Sequence, residues 1–155
     1  NYVGDAVTAI LTVMLKGKNK EAYNVSDDSY DLRLGEFAKI VSNYNNKCAL
    51  TNIDLPELLV ASHIIPWSEN ESERLNPANG ICLSSLFDKA FDSGLISFQN
   101  SGEIMFSQRL KSNVGKEYFT DYFEPFKGRH LTSPQKYELN PQFLEWHRDM
   151  IFDKK

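Results

Sequence analysis

A lone histidine in an apolar, β-prone stretch is the first feature of this sequence that could do chemistry. His63 stands in ASHIIPW, residues 61–67, and Asn79 follows it in NPANG. A neutral imidazole makes a suitable general base near pH 7, because its unperturbed pKa is about 6.5. A histidine in such a strand is also often a buried structural residue, and Asn79 before Gly80 is an ordinary turn pair. The two residues by themselves leave both interpretations open.

Composition limits the classes of protein to which the chain can belong. It has 155 residues, of which 41% are hydrophobic and 25% charged, which suffices for one globular domain with a core. The longest apolar run, AVTAILTVML, falls far short of the roughly 20 residues that span a bilayer. Cys48 and Cys82 fit no paired metal-ligand spacing. We therefore expect a cytoplasmic protein outside the membrane, with reduced and largely buried thiols.

The charge balance disfavours a strongly basic nucleic-acid binder. The chain has 17 Lys plus Arg against 21 Asp plus Glu, a net charge of −4, whereas general phosphate affinity comes from excess cations. Residues 105–136 nevertheless carry a local excess of three positive charges and include Arg109 and Lys111. This segment is the best candidate for a DNA-facing surface. An ordinary solvated surface would have the same composition.

Hydrophobic spacing and turn residues predict helices and strands before His63. A short helix is expected over residues 4–15, a strand in EAYNVSDD, and a second helix ending near Tyr44. KCALTN and PELLVASHIIP are expected to be strands around a turn at residues 52–56. His63 would therefore lie in a stretch of extended backbone.

A second group of elements is predicted after the loop WSENESERLNPANG. ICLS is typical of a short buried strand, and SSLFDKAFDSG of a helix with a serine cap and a terminal Gly94. LISFQNSGEIMFSQ predicts a β-hairpin that turns at residues 100–102 and buries one face. EYFTDYFEPFKGRH should form irregular structure or short helix over the core, and a final helix should begin at Pro141.

Four dispersed motifs occur in order along this chain: Cys-Ala-x-Thr, Ala-x-His-Ile-x-Pro-Trp, Asn-Gly after an Arg-Leu-x-Pro loop, and Phe-Asp-x-Gly-Leu-Ile-Ser-Phe. Together they resemble the HNH endonucleases, in the branch that forms the nuclease domain of bacterial restriction enzymes. The resemblance covers about residues 43–152. It implies an α+β fold: a ββα-metal core with an additional β-hairpin and flanking helices. It also implies metal-dependent hydrolysis of DNA phosphodiester bonds.

The resemblance implies roles for the residues of the second and third motifs. His63 would be the general base that activates a water molecule. Asn79 would brace the loop that carries His63 through hydrogen bonds to its backbone. Arg74 would either clamp a phosphate or tether its loop to an acidic neighbour. His130 and His147 lie outside the motifs and receive no catalytic role.

The predicted helix departs from the family pattern, because Phe87 stands where some relatives have a histidine. Comparable folds reach the ion from the position of Asp88, and Asp92 shares its helix face. Carboxylates suit Mg²⁺ or Mn²⁺, so we expect Asp88 and Asp92 to be the metal ligands. Alternatively, Asp92 only ends the helix, and Asp88 is a solvated partner of the neighbours of Lys89 or of Lys111. Ser62 occupies a position where other branches place an Asp or His ligand, which predicts a weakly held ion.

Residues 1–42 have a weaker, local resemblance to the C-terminal part of NAD-dependent sugar epimerases and dehydratases, carried by YVGDAVTAILTVMLKGKNKEAYNVSDD and LRLGEFAKIV. The chain has no Gly-x-Gly-x-x-Gly after a strand and no Tyr-x-x-x-Lys pair, so NAD chemistry is not expected in it. We expect an appendage over residues 1–42, as a fusion remnant, and the nuclease domain over residues 43–155. Accidental similarity is the alternative.

Two functions remain in competition. The first is a restriction-type HNH endonuclease on double-stranded DNA, with contacts from Arg74, Lys89, Arg109 and Lys111 and with specificity from a homodimer or a separate recognition domain. The second is a catalytically inactive HNH-like module that binds DNA or a protein. The absent helix histidine, Ser62 and the net negative charge favour the second function. The ordered motifs favour the first, which is our main prediction.

Overall fold

The computed structural model describes residues 28–66, 68–70, 72–73 and 75–154. The chain divides into two compact units, Asn1–Gly35 and Glu36–Lys155. The helix predicted over residues 4–15, the strand predicted after it, and Arg74 lie outside the described residues. The division into an appendage over residues 1–42 and a nuclease domain therefore stays a prediction.

The first described helix, α1, spans Asp28–Asn43, which confirms the helix predicted to end near Tyr44. At its C-terminal end, Ile40 is fully buried and Val41 nearly so. The chain leaves the helix through Asn45 and Asn46, whose φ angles of 55° and 56° are left-handed. Asparagine tolerates this backbone conformation better than most residues do, so the polar break in the sequence ends the helix.

The segment KCALTN, predicted as a strand, is instead a series of turns, so that prediction was wrong. Its backbone bonds within the turn, with the Cys48 N–H donating to the Ile53 carbonyl at 2.8 Å. The Cys48 sulfur also accepts the backbone N–H groups of Thr51 and Ser84, at 3.4 and 3.2 Å. These bonds replace those of a strand ladder. Cys48 and Cys82 are both free and buried, as expected.

A strand–strand–helix unit forms the centre of the fold. Strand β1 (Leu59–His63) pairs antiparallel with β2 (Gly80–Ser84), and helix α2 (Ser85–Asp92) follows at once. Every residue of β2 is buried. A Cβ atom on Gly80 would lie 2.3 Å from Cδ1 of Ile40, so any larger residue there would force the Ile40 side chain of α1 to move. The ββα core and the α+β class are confirmed.

Helix α2 buries its apolar face as predicted. Phe87 and Phe91 are 2% and 0% exposed. Ser84 is the N-cap residue but makes no side-chain capping bond, whereas the Ser85 hydroxyl donates to the Leu58 carbonyl at 3.2 Å. The predicted serine cap is therefore at the right position, but the capping hydrogen bond is absent.

The chain reverses after α2 at Gly94. The φ angle of Gly94 is +66°, and a Cβ atom there would lie 2.2 Å from the carbonyl oxygen of Ile151. Both the conformation and the close backbone approach therefore require glycine. This contact joins the end of α2 to the C-terminal segment.

The predicted hairpin is present as β3 (Ile96–Phe98) and β4 (Ile104–Phe106), which pair antiparallel. All three residues of β3 are buried, including Ser97, rather than one face only. The reason is the final helix, which packs against β3. It spans Pro141–Met150, begins at the predicted proline, and is capped by Asn140, whose side chain accepts the Gln142 N–H.

Short helices over residues 108–126 cover the remaining face of the core. Helices α3 (Gln108–Lys111) and α4 (Glu117–Tyr122) are followed by a 3-10 turn at Glu124–Phe126, and Pro141–Met150 is therefore α5. Aromatic side chains from these segments meet α2 and β4 edge to face, in the set Phe87, Phe106, Phe119, Phe123 and Phe126. No helix in the described part of the chain is long and apolar enough to cross a membrane.

Candidate active site

The end of β1, helix α2 and the C-terminal segment border a cleft of about 430 Å³. Three residues predicted from the sequence line it: His63, Asp88 and Asp92. The other lining residues are Val60, Ala61, Ser62, Pro66, His147 and Ile151. The structure therefore brings the predicted base and both predicted metal ligands to one cavity.

His63 is the last residue of β1 and pairs with Gly80 at the first residue of β2. Its side chain is partly exposed, so it is not the fully buried structural histidine of the alternative interpretation. The next two residues, Ile64 and Ile65, are 0% and 6% exposed. Their burial fixes the backbone on the loop side of His63, while the β1–β2 ladder fixes it on the other side.

Asn79 closes the loop that begins after His63. Its Oδ1 accepts the Ile65 N–H at 2.9 Å, and its Nδ2 donates to the carbonyls of Ile65 at 3.1 Å and Glu73 at 3.3 Å. In addition, the Ile64 N–H donates to the backbone carbonyl of Asn79 at 2.9 Å. The side chain is fully buried, so these bonds are shielded from water. The amide joins both ends of the loop immediately beside His63.

Asp88 lies in the first turn of α2 and is half-buried. Its Oδ1 accepts a hydrogen bond of 2.5 Å from the hydroxyl of Ser62, which is only 2% exposed. This contact links the helix to the strand residue directly before His63. A negative charge in the first helical turn is also favoured by the helix dipole. The pairing of Asp88 with Lys111, considered from the sequence, is not among its hydrogen bonds or salt bridges in the described structure.

Asp92 is the last residue of α2 and is exposed at the cleft. Within the described ranges, no three His, Cys, Asp or Glu side chains lie close enough to form a metal cage. Two carboxylates on one cavity suit a hard cation such as Mg²⁺, which keeps several waters and is commonly held by one or two carboxylates. The donor set thus fits that class of ion and does not resemble a structural zinc site.

His147 is a cleft residue that the sequence reasoning missed. It is fully buried, and its ring stacks on Phe91 with centroids 3.7 Å apart. Nδ1 lies 2.9 Å from the Ser97 hydroxyl, and Nε2 lies 3.2 Å from the Phe91 carbonyl oxygen. Burial lowers the pKa of His147 to about 4, with a smaller contribution from the positive charge of Arg148, while the bond to the Phe91 carbonyl opposes the shift.

The helical spacing of α5 could have revealed this burial. Phe143, Leu144 and His147 share the buried face of the helix, so the histidine continues an apolar stripe. A histidine on such a stripe is expected to lie inside the protein.

Three of the predicted DNA contacts, Lys89, Arg109 and Lys111, are not among the described residues that line the cleft. Lys89 and Lys111 are exposed. Arg109 is exposed as well, and its Nη2 donates to the carbonyl of Ser93 at 3.1 Å, immediately after α2. Part of its guanidinium is therefore used to close the end of that helix. Arg74 lies outside the described residues.

Comparison with known proteins relates the centre of this chain to a family of nucleases. Residues 48–99 match the family model described as HNH endonuclease. This range contains β1, β2, α2, His63, Asn79, Asp88 and Asp92. The match over residues 48–99 confirms the family resemblance that the sequence motifs predicted.

Among solved structures, the chain is similar to one described as "Modification dependent TagI restriction endonuclease". The TM-score is 0.50 at 11% sequence identity, with 76% of this chain and 37% of that chain covered. At this identity the likeness concerns the fold. The chain thus spans a little over a third of the length of that relative. A comparison with curated proteins gave no match.

Proposed function

We propose that this chain hydrolyses phosphodiester bonds of double-stranded DNA in a reaction that depends on Mg²⁺ or Mn²⁺. The observation that supports the proposal best is the shared cleft, because His63, Asp88 and Asp92 line one cavity within the HNH domain. Hydrolysis of a phosphodiester needs a base for the attacking water and charge stabilisation at the phosphate. The cleft provides candidates for both.

His63 is the general base in this proposal. It receives the proton of the attacking water on an unprotonated ring nitrogen. Asn79 does not touch the reacting atoms, and it acts by holding the backbone that follows His63 in place. Since Ile64 and Ile65 are buried and bonded to Asn79, the imidazole is presented from rigid backbone. A preorganised base of this kind typically contributes a factor of about 10² to 10⁴ to the rate.

Asp88 and Asp92 hold the cation in this proposal. When bound, a divalent cation stabilises the negative charge that develops on the phosphate and on the leaving oxygen. Asp88 is half-buried in the first turn of α2, whereas Asp92 is exposed at the end of the helix and is more open to water. We therefore expect Asp88 to contribute more to affinity than Asp92 does.

Positively charged side chains on the protein surface would position the DNA backbone. We assign this role to Lys89, Arg109 and Lys111, with Arg74 on the loop before Asn79 as a further candidate. Arg109 and Lys111 share the short helix α3, and Arg109 reaches the end of α2. Phosphate contacts of this kind position the duplex without reading its sequence.

A restriction-type activity is the finer part of the proposal. The similar solved structure is described as a modification-dependent restriction endonuclease, and this chain covers 37% of it. We propose that a separate recognition domain or a second copy of the chain supplies site specificity to this nuclease domain. Cleavage of methylated and unmethylated plasmid in parallel tests whether modification matters.

An inactive module is the second candidate function. It is favoured by the lack of a three-residue cluster of His, Cys, Asp or Glu in the described part of the chain. Such a module would still bind DNA through its surface cations, or would bind a protein. It predicts no cleavage under any metal condition.

Plasmid nicking separates the two functions. Supercoiled DNA is incubated with the chain and Mg²⁺, Mn²⁺ or EDTA, and open-circle product is measured over time. His63→Ala should reduce the rate by about 10² to 10⁴ and leave the thermal unfolding midpoint nearly unchanged. His130→Ala is the matched control, because His130 is exposed and does not line the cleft.

Equal rates for wild type and His63→Ala would remove His63 from the role of base. Activity that persists in EDTA would remove the metal requirement. No cleavage by the wild type with either cation would favour the inactive module.

A further inference from the structure

Ser62 is a polar residue buried in a strand, and its burial needs a physical explanation. It is 2% exposed, sits in the apolar stretch of β1, and immediately precedes His63. Its side chain is not needed for strand pairing, because backbone groups form the β1–β2 ladder. An alanine or valine would satisfy the same strand position without burying a hydroxyl group.

The hydroxyl of Ser62 donates to Oδ1 of Asp88 at 2.5 Å, across the interface between β1 and α2. A hydrogen bond to a carboxylate is charge-assisted and stronger than one between neutral groups. It therefore restricts the rotation of a side chain that would otherwise sample several orientations on the helix surface. The bond engages Oδ1 of a carboxylate that itself lines the cleft, so it fixes the side chain at the cavity wall.

We propose that Ser62 is a positioning residue that orients the Asp88 carboxylate for a hard divalent cation in the cleft. This inference rests on the proposed function, since it presupposes that Asp88 is a metal ligand. Partners of this kind, which bond to a ligand and not to the metal, typically change metal affinity by about 10- to 100-fold. With few protein ligands present, the orientation of each one matters more.

Direct binding of Mn²⁺ tests the role of Ser62 without relying on cleavage. Free Mn²⁺ is measured by electron paramagnetic resonance while the full chain is titrated with the ion. Ser62→Ala should weaken binding by about 10- to 100-fold, and Asp88→Asn by at least as much. Ser107→Ala is the matched control, because Ser107 is also buried and its hydroxyl also makes a hydrogen bond, but it does not line the cleft. It should lower thermal stability and leave Mn²⁺ affinity unchanged.

A second pair of variants separates the hydroxyl group from packing. In Ser62→Thr and Ser62→Val the new side chains have nearly the same shape, and both suit a strand. Only the threonine hydroxyl can donate a hydrogen bond to Asp88. We expect Ser62→Thr to bind Mn²⁺ at least 10-fold more tightly than Ser62→Val. This pair also replaces Ser62→Ala if that variant does not fold.

The outcomes distinguish this inference from the proposed function. If Asp88→Asn weakens Mn²⁺ binding while Ser62→Ala binds as wild type does, only the role of Ser62 is overturned. Equal affinities of the threonine and valine variants overturn it as well. If wild type does not bind Mn²⁺, or if Asp88→Asn binds it normally, the metal assignment of the proposed function fails and the role of Ser62 fails with it.

Discussion

Lowering the pH from 7.5 to 5 should destabilise the fold through His147. Burial and the neighbouring Arg148 lower the pKa of His147 to about 4 in the folded chain, against about 6.5 for a histidine in the unfolded chain. At pH values between these two pKa values, His147 is protonated in the unfolded chain but stays largely neutral in the folded chain. The contribution of neutral His147 is therefore fully present above pH 6.5, falls as the pH drops toward 4, and declines no further below that.

The magnitude follows from the two pKa values. One unit of pKa difference corresponds to about 1.4 kcal/mol, so the complete loss is on the order of 3 kcal/mol. About 2 kcal/mol of it should be lost by pH 5, because folded His147 is still largely neutral there. This is a large part of the stability of a typical domain, about 5–15 kcal/mol. Urea unfolding followed by tryptophan fluorescence at several pH values between 7.5 and 5 measures it.

Variants isolate the contribution of His147 from that of other titrating groups. The double substitution His147→Phe with Ser97→Ala keeps an aromatic ring against Phe91 and removes both the titrating group and the hydroxyl that would lose its partner. It lowers stability at pH 7.5 but should flatten the pH dependence by about 2 kcal/mol. His130→Gln, at an exposed position, should leave the wild-type slope unchanged. Parallel pH profiles for wild type and the double variant would refute the reasoning.

Three further predictions concern backbone geometry, the loop clamp and the DNA surface. Gly94→Ala should cost on the order of 2–4 kcal/mol in urea unfolding, because of its left-handed φ and the close Ile151 carbonyl, whereas Gly128→Ala, with φ of +75° but open space, should cost only about 1 kcal/mol. Asn79→Ala should cost about 1–3 kcal/mol by stripping the Ile65 N–H of its partner, and should slow nicking as well; full activity would contradict the bracing role. Replacing Arg109 and Lys111 together by Glu should weaken DNA binding and reduce its salt dependence, as measured by fluorescence anisotropy at several salt concentrations; an unchanged salt slope would exclude them as phosphate contacts.

The central architecture could be predicted because local signals agreed with one another there. Strand β1, buried β2 and capped α2 each have their own periodicity and boundaries, and the motifs fix their order. The capping residue Asn140 before Pro141 likewise located α5 to the residue. Where side-chain pattern and turn chemistry agree, tertiary contacts have little left to decide.

The sequence-based predictions were wrong where contacts between residues distant in sequence determine the local structure. KCALTN has strand-forming residues, but Cys48 accepts backbone donors from Thr51 and Ser84, and the second of these is remote in sequence. The burial of both faces of β3 depends on α5, which follows more than forty residues later. The Ser62–Asp88 bond likewise joins two elements whose packing no local pattern reveals. Pattern reasoning finds elements and candidate residues, but not the pairs they form.

The clamp made by Asn79 holds the backbone after β1 in place whatever the length of much of the loop that it closes. Asn79 bonds to Ile64, Ile65 and Glu73, so a longer insert between Pro66 and Glu73 removes none of these partners. The entropy of closing a flexible loop grows slowly, by about 0.6 kcal/mol for each doubling of length. We therefore expect the stretch between Pro66 and Glu73 to accept new segments, by evolution or by engineering, while the imidazole keeps its place.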